Sequence, residues 1–327
     1  MAELLIFWII SFIVGLAVLV KASDYFTDSA EKVGLHFGIP AFIVGVTIVA
    51  IGTSLPELVS ALVAVFLGAP EIGVGNVVGA NILNILLIVG VVSIISGKIK
   101  IFYELKHVDL PFLMGSTFLL ALVIFDGRVT VIESILLIAV LVIYLGYTIY
   151  SRLEREGGEM KVEMKKEKEL LKEKKKLKKS TWAILVGGVI FIYLGANITI
   201  TAAIELSTLL GIGKDIIALS IISMGTTLPE LTVSIAAARK HQPEIAIGNV
   251  LGSNIFNALA VVGIPGLIGG LIFGPMVFEI SLVAIMVLIG ATLLFNFMVE
   301  DREITKGEGG LLLAFYVFFI LFLFGVV

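Results

Sequence analysis

Ten apolar runs, each of about 20 residues, dominate the chain and constrain its fold more than any other feature. Each is long enough for a helix to cross the hydrocarbon core of a bilayer, which is about 30 Å thick. Charged residues make up only 15% of the chain, whereas soluble domains carry about 25%. The sequence therefore predicts an all-α, polytopic membrane protein with ten transmembrane helices. The predicted spans cover residues 3–22, 40–67, 72–96, 108–125, 129–150, 181–205, 213–238, 244–270, 276–298 and 308–327.

One long polar segment divides the spans into two groups of five. We predict a first five-helix repeat over residues 1–150, a basic linker over 151–180 and a second five-helix repeat over 181–327. When the loops are placed on alternate sides of the membrane, 21 of the 23 Lys and Arg residues fall on the side of the linker. The positive-inside rule then places the linker in the cytoplasm and both termini outside. Because five is an odd number, the second repeat would enter the membrane inverted with respect to the first.

The two groups of spans share a repeated sequence. Residues 52–86 and 225–259 align without a gap at an offset of 173 residues, and they agree at 18 of 35 positions. Each copy places a glutamate, Glu57 or Glu230, directly after a proline in an otherwise apolar segment. A charge inside a bilayer costs roughly 2.5–3.5 kcal/mol on insertion scales, so its default interpretation is an ion or substrate site. Inverted repeats with interrupted helices are typical of secondary transporters, whose site lies near the membrane midplane.

Side chains with oxygen atoms gather around both glutamates. Carboxylate, hydroxyl and amide oxygens are hard ligands that suit Na⁺ and Ca²⁺. Two ionised glutamates carry a charge of −2, which one Ca²⁺ or two monovalent cations would neutralise. The sequence therefore predicts one shared cation site that exchanges ions by competition. The side chains in question are Thr53, Ser54, Glu57, Asn76 and Asn84 in the first copy and Thr226, Thr227, Glu230, Asn249, Ser253 and Asn257 in the second.

Four other polar residues of the repeats have structural interpretations. Asn81 and Asn254 lie off the stripe of polar residues, so we predict that they join helices rather than bind ions. Glu71 and Glu244 follow prolines at the starts of spans. A carboxylate in the first turn of a helix interacts favourably with the helix dipole, and this is the predicted role of both.

The motifs GTSLPEL with GNVVGANILN, and GTTLPEL with GNVLGSNIFN, resemble the α-repeats of the cation/Ca²⁺ exchanger superfamily. The nearest branch is that of the prokaryotic sodium/calcium exchangers. The resemblance implies antiport of Ca²⁺ against Na⁺ by alternating access, with the first and sixth spans sliding across a core formed by the others. It also implies that Glu57 and Glu230 hold Ca²⁺ directly. The implied ligands are the side chains of Thr53, Ser54, Glu57, Asn84, Thr226, Thr227, Glu230, Ser253 and Asn257, with the backbone carbonyls of Ala50 and Ser223.

The chain departs from this family at two positions. Sodium/calcium exchangers commonly carry an aspartate where this chain has Asn257, and a small hydroxyl residue where it has Ala80. These departures leave a proton/calcium exchanger of the same superfamily as the alternative. A passive cation channel is less favoured because the oxygens form no ring, and no H-E-x-x-H motif indicates an enzyme. We expect a protein of the cell membrane that works as a monomer, with no cofactor and no nucleic-acid partner.

Overall fold

The computed structural model describes residues 2–36, 50–100, 108–155, 178–301 and 303–326, and most of them are helical. The first half contains α1 (Ala2–His36), α2 (Ala50–Thr53), α3 (Leu55–Phe66), α4 (Pro70–Leu83), α5 (Gly90–Ser96), α6 (Leu110–Ile124) and α7 (Val131–Arg155). The second half contains α8 (Lys179–Leu210), α9 (Lys214–Ile217), α10 (Ser223–Thr226), α11 (Leu228–Arg239), α12 (Pro243–Phe256), α13 (Val262–Phe273), α14 (Leu282–Met298) and α15 (Lys306–Leu323). Three π-helical segments, Asn84–Val89, Ala218–Ile222 and Asn257–Val261, link α4 to α5, α9 to α10 and α12 to α13.

Six helical stretches of the described residues are long and apolar enough to cross a membrane. They are Glu3–Gly34, Pro70–Ser96, Val131–Thr148, Lys179–Leu210, Pro243–Phe273 and Lys306–Leu323. A seventh span results if Lys214–Thr226 and Leu228–Arg239, which are bent by 47°, count as one. Three shorter apolar helices, α3, α6 and α14, fall on the remaining predicted runs. The prediction of an all-α, multi-pass membrane protein is confirmed, and the count of ten spans stays a prediction.

The two long helices α1 and α8 extend beyond the spans predicted for them, residues 3–22 and 181–205. A Cβ atom built on Gly188 of α8 would lie 3.2 Å from Cβ of Phe26, which is past the end of the predicted first span. The contact between the two helices therefore continues past the predicted first span as far as Phe26. The predicted second span, 40–67, begins outside the described residues.

The buried apolar side chains form two clusters. The larger cluster joins α3 to α7 of the first half with α11 to α15 of the second, and Leu120, Ile255 and Phe295 lie within it. The smaller cluster lies between α1, α8 and the helices beside them, and it includes Leu19 and Ala196. The helices α1 and α8 thus pack on each other along one side of the main helical core.

Two short antiparallel strand pairs also join the two halves. β1 (Lys98–Lys100) pairs with β4 (Glu303–Thr305), and β2 (Arg128–Val129) pairs with β3 (Met276–Val277). Strands of two or three residues have no alternating pattern to detect, so the sequence analysis did not predict them. They form where a loop of one half meets a loop of the other.

Candidate functional site

Each interrupted helix breaks two residues before its proline. Ser54 separates α2 from α3 with φ −90° and ψ 11°, and Thr227 separates α10 from α11 with φ −84° and ψ 4°. These angles fall in the sparsely populated bridge region. Pro56 and Pro229 occupy the first turn of the next helix, where the missing N–H is not needed. The glutamates follow in the same turn, near the positive end of the helix dipole.

Both glutamates are completely buried, and each accepts a hydrogen bond from the other half of the protein. The Thr227 hydroxyl donates to Glu57 Oε1 at 3.5 Å, and the Ser54 hydroxyl donates to Glu230 Oε1 at 3.5 Å. The Ser253 hydroxyl donates to the same oxygen of Glu230 at 3.3 Å. These bonds are long, near the limit for an O–H donor. The two carboxylates also lie near enough for their charges to repel each other.

The second oxygen of each carboxylate is buried without a partner. Among the described residues, no group donates to Oε2 of Glu57 or Glu230, and the ion pairs involve other side chains. The side-chain oxygens of Asn84 and Asn257 are unpartnered in the same way. A buried polar atom without a hydrogen bond costs about 1–3 kcal/mol, and a charged one costs more. The two halves therefore contribute four buried acceptor oxygens that a cation could satisfy.

Four asparagines form a network between the halves. Asn81 Nδ2 donates to the backbone carbonyl of Asn254 at 3.1 Å, and Asn254 Nδ2 donates to the backbone carbonyl of Asn81 at 3.2 Å. Asn84 Nδ2 donates to Asn254 Oδ1 at 2.8 Å, and Asn257 Nδ2 donates to Asn81 Oδ1 at 3.1 Å. The prediction that Asn81 and Asn254 join helices is confirmed. Asn84 and Asn257 each begin a π-helical segment, a feature frequent at functional sites.

One threonine of the predicted site directly precedes each helix break, Thr53 in the first half and Thr226 in the second, and both make contacts between the halves. The Thr226 hydroxyl donates to Oδ1 of the fully buried Asn76 at 3.1 Å. Thr53 lies close to the carboxylate of Glu230. Each of these threonines lies beside a carboxylate or amide of the opposite repeat, which its position in the sequence does not reveal.

The two residues predicted to contribute backbone carbonyls lie at the starts of the short helices α2 and α10. Ala50 is the first residue of α2. The Ser223 hydroxyl donates to the carbonyl of Leu219 at 2.8 Å, so this hydroxyl is used within its own helix. The Ser223 carbonyl accepts the Thr227 N–H at 3.0 Å. The Thr226 hydroxyl lies within a long hydrogen-bond distance of the same carbonyl, 3.5 Å, so both lone pairs of this oxygen face donors.

Two serines near the glutamates were missed by the sequence analysis. Ser60 and Ser234 are completely buried one helical turn after Glu57 and Glu230. The Asn249 Nδ2 donates to the Ser234 hydroxyl at 3.4 Å, and the Ser60 hydroxyl has no partner among the described residues. Their position one turn beyond a glutamate was the signal that could have identified them.

The second pair of glutamates, Glu71 and Glu244, lies at helix starts, as the sequence predicts. Glu71 lies in the first turn of α4 and Glu244 in the first turn of α12. Glu71 also forms an ion pair of 2.9 Å with Lys214, at the start of α9 in the other half. Both glutamates are at least partly exposed, which distinguishes them from the buried pair.

Comparison with known proteins gives matches over nearly the whole chain. A family model described as sodium/calcium exchanger protein matches residues 7–150 and 180–325. The sodium/calcium exchanger MaX1 of Methanosarcina acetivorans is 33% identical over 95% of this chain and 97% of its own. The membrane protein MJ0091 of Methanocaldococcus jannaschii is 32% identical over 94% of each chain.

The fold is also similar to that of a solved exchanger. A structure of the sodium-calcium exchanger NCX_Mj, soaked with 2.5 mM Na⁺ and 10 mM Sr²⁺, covers 96% of this chain and 98% of its own. The TM-score is 0.62 at 29% sequence identity. Because the family model matches most of the chain, and a relative above 30% identity covers nearly all of it, the chain belongs to the sodium/calcium exchanger protein family.

Proposed function

We propose that this protein is a secondary active antiporter that exchanges Ca²⁺ for Na⁺ at one buried site containing Glu57 and Glu230. The observation that carries the proposal is the set of four buried acceptor oxygens that have no partner among the described residues, two from carboxylates and two from carboxamides. Oxygen atoms of these kinds are the ligands that Ca²⁺ and Na⁺ prefer. A bound cation would offset the cost of burying all four.

The proposed ligands combine these oxygens with the hydroxyl and carbonyl groups around the two helix breaks. Glu57 and Glu230 hold Ca²⁺ directly, because only they carry the charge that compensates a divalent ion. The hydroxyl groups and amides complete its coordination shell of six to eight oxygens. The set is Thr53, Ser54, Glu57, Asn84, Thr226, Thr227, Glu230, Ser253 and Asn257, with the carbonyls of Ala50 and Ser223.

Competition for the two carboxylates couples the two ions. One Ca²⁺ neutralises a site of charge −2, and Na⁺ needs the same oxygens, so the two kinds of ion cannot occupy the site together. An ion gradient of one kind can then drive the other ion in the opposite direction without ATP. The transported ions are cargo, and the proposal involves no resident cofactor.

Alternating access is the proposed means by which the site faces each side in turn. The helices α1 and α8 pack on each other in the smaller buried cluster, which also includes Ala64 of α3 and Ile72 of α4. A Cβ atom on Gly195 would lie 2.5 Å from the backbone nitrogen of Leu19, so only glycine permits this close contact. We propose that α1 and α8 slide as a pair across the core formed by the other helices, which keeps the ligands in place.

The proposed organisation has two inverted halves, residues 1–150 and 181–327, and a cytoplasmic linker over 151–180. Both halves supply ligands, so one chain contains the whole site and works as a monomer. The excess of Lys and Arg on the side of the linker, 21 of 23, supports its place in the cytoplasm and that of both termini outside. Cysteine labelling from each side of intact cells, at single cysteines introduced into the linker and the N-terminus, tests this orientation.

Ca²⁺ flux under separately imposed gradients tests the proposed function. Proteoliposomes containing the full chain are loaded with Na⁺, with H⁺ or with neither, and ⁴⁵Ca²⁺ uptake is measured. We expect uptake that requires internal Na⁺ and ignores the pH gradient. Uptake that follows the pH gradient and ignores Na⁺ would replace this function with proton/calcium exchange. Ca²⁺ flux without any counter-ion would indicate a channel.

Proton/calcium exchange is the second candidate because of one observation. Position 257 is an amide, where sodium/calcium exchangers commonly have an aspartate, and Asn257 Nδ2 is already held by Asn81. Only two acids are therefore present among the proposed ligands, and two protons would neutralise them as well as two Na⁺ would. The same flux experiment separates the two candidates.

A further inference from the structure

Two asparagines outside the proposed ligand set hold the two ligand amides. Asn81 and Asn254 are equivalent residues of the two repeats, and each donates its side-chain N–H to the backbone carbonyl of the other. Both are 0–1% exposed. We call this reciprocal pair the asparagine clasp.

The clasp leaves only an acceptor for each ligand amide to contact. Because Nδ2 of Asn81 and of Asn254 is used on a backbone carbonyl, the atom that faces the ligand amide is Oδ1 in both cases. An amide oxygen can only accept a hydrogen bond. Asn84 and Asn257 must therefore turn their Nδ2 toward the clasp. Their own Oδ1 atoms then point away from it, and both are buried with no partner in the described part of the chain.

We propose that the asparagine clasp is a positioning device that fixes the orientation of the Asn84 and Asn257 side chains, so that each presents its oxygen to the transported cation. The inference rests on the proposed function. A primary amide can rotate by half a turn and exchange its donor for its acceptor with little change in shape. Without the clasp, either amide could present N–H groups to the cation and weaken its binding.

The clasp also explains which residue type suits position 257 in this chain. A carboxylate there would place an acceptor against the Asn81 Oδ1, which is an acceptor too. To donate instead, the Asn81 amide would have to rotate and give up its bond to the Asn254 carbonyl, 3.1 Å long in this structure. The amide at position 257 and the clasp therefore form one consistent hydrogen-bond pattern.

The first test compares variants of the clasp with a matched variant elsewhere. Asn81→Leu and Asn254→Leu remove the acceptors but keep a buried side chain of similar size. The control is Thr292→Val, because the Thr292 hydroxyl also makes a buried contact between the halves, 3.5 Å from the Thr117 hydroxyl, besides its bond to the Leu288 carbonyl at 2.9 Å. Ca²⁺ binding by the purified full chain is measured by isothermal titration calorimetry, and stability is measured by thermal unfolding without Ca²⁺.

We expect each clasp variant to weaken Ca²⁺ binding by about 10- to 100-fold, the usual effect of losing a group that orients a metal ligand. Thr292→Val should lower the unfolding temperature without changing Ca²⁺ affinity. Clasp variants that fold and bind Ca²⁺ within twofold of the wild type would overturn the positioning role and leave a packing role. An equal loss of Ca²⁺ affinity in Thr292→Val would also overturn the positioning role. It would mean that the loss of any hydrogen bond between the halves is enough to weaken Ca²⁺ binding.

A second measurement needs no variant and covers the case in which the clasp variants do not fold. In a crystal structure of the wild-type protein with Sr²⁺ bound, Asn257 Nδ2 should still contact Asn81 Oδ1, and Asn84 Nδ2 should still contact Asn254 Oδ1. Ligand amides that turn away from the clasp on binding would overturn the inference. A wild-type protein that binds no Ca²⁺ would instead contradict the proposed function itself.

Discussion

Removal of one carboxylate is the perturbation for which the structure predicts the largest effect. In the wild-type protein the Thr227 hydroxyl donates to Glu57 Oε1 at 3.5 Å. In Glu57→Gln the remaining side-chain oxygen can still accept this hydrogen bond. The unpartnered Oε2 is replaced by an NH₂ group of nearly the same size. The shape of the site is thus kept, while half of its negative charge is lost and a donor faces the cation.

The magnitude follows from the charges. Two unit charges about 4 Å apart interact by about 4 kcal/mol at an effective dielectric constant of about 20. A loss of that size for Na⁺ is roughly a 1,000-fold loss of affinity. Because Ca²⁺ carries twice the charge, the loss of free energy is doubled and the affinity for Ca²⁺ falls below the range of a binding assay. Glu230→Gln should behave in the same way, since the two residues are equivalent in the repeats.

Calorimetric titration of Ca²⁺ and ⁴⁵Ca²⁺ uptake into Na⁺-loaded proteoliposomes measure this effect. Glu244→Gln is the matched control, because Glu244 also lies in the first turn of a helix after a proline but is not completely buried. It should bind and transport Ca²⁺ within about twofold of the wild type, since solvent and salt screen the partly exposed charge of Glu244. Ca²⁺ affinity within about tenfold of the wild type in both Glu57→Gln and Glu230→Gln would refute the reasoning.

Three further substitutions test other parts of the account. Asn257→Asp adds a third acid to the proposed site but places an acceptor against Asn81 Oδ1, so Ca²⁺ uptake should fall while its dependence on internal Na⁺ becomes steeper; an unchanged Na⁺ dependence would exclude this position from counter-ion binding. Gly79→Ala places a Cβ atom 2.4 Å from the carbonyl oxygen of Leu219 and should destabilise the protein by about 1–3 kcal/mol. The control is Gly290→Ala, which has no described atom within 4 Å of the new Cβ and should not lower the unfolding temperature. Thr305 is the N-cap of α15, and its side-chain oxygen accepts the Glu308 N–H at 3.3 Å. Thr305→Ala should therefore lower the free energy of unfolding by about 1 kcal/mol without changing Ca²⁺ transport. A loss of Ca²⁺ uptake would show that this helix end matters for more than stability.

The helices could be predicted from the sequence, but the contacts between them could not. Apolar runs identified the helices because a bilayer requires about 20 apolar residues for each span. They did not predict the full length of α1, which is helical to His36. Past the predicted span, α1 still packs against α8 at Phe26 and against α2 at Thr27, and such tertiary contacts leave no apolar signal. The strand pairs between the halves were invisible for a similar reason, since both depend on loops that meet only in the folded protein.

The candidate site was predicted only in part. The repeat at a fixed offset identified Glu57 and Glu230 as buried charges, and the roles of Asn81 and Asn254 in joining helices are confirmed. The hydroxyl that each glutamate contacts in the other half could not be predicted, because Thr227 and Ser54 belong to the repeat opposite to the carboxylate they contact. Spacing along a helix reports neighbours within one repeat. It contains no information about how the two repeats meet.

The most direct measurement for the central claim is the position of a bound cation. Crystals of the full chain soaked in Sr²⁺, which scatters anomalously, would locate a Ca²⁺ substitute without prior assumptions. The account predicts one strong anomalous peak within about 2.3–2.6 Å of carboxylate oxygens from both Glu57 and Glu230. A peak bound to only one of these glutamates, or a bound Sr²⁺ at a different place in the protein, would contradict it.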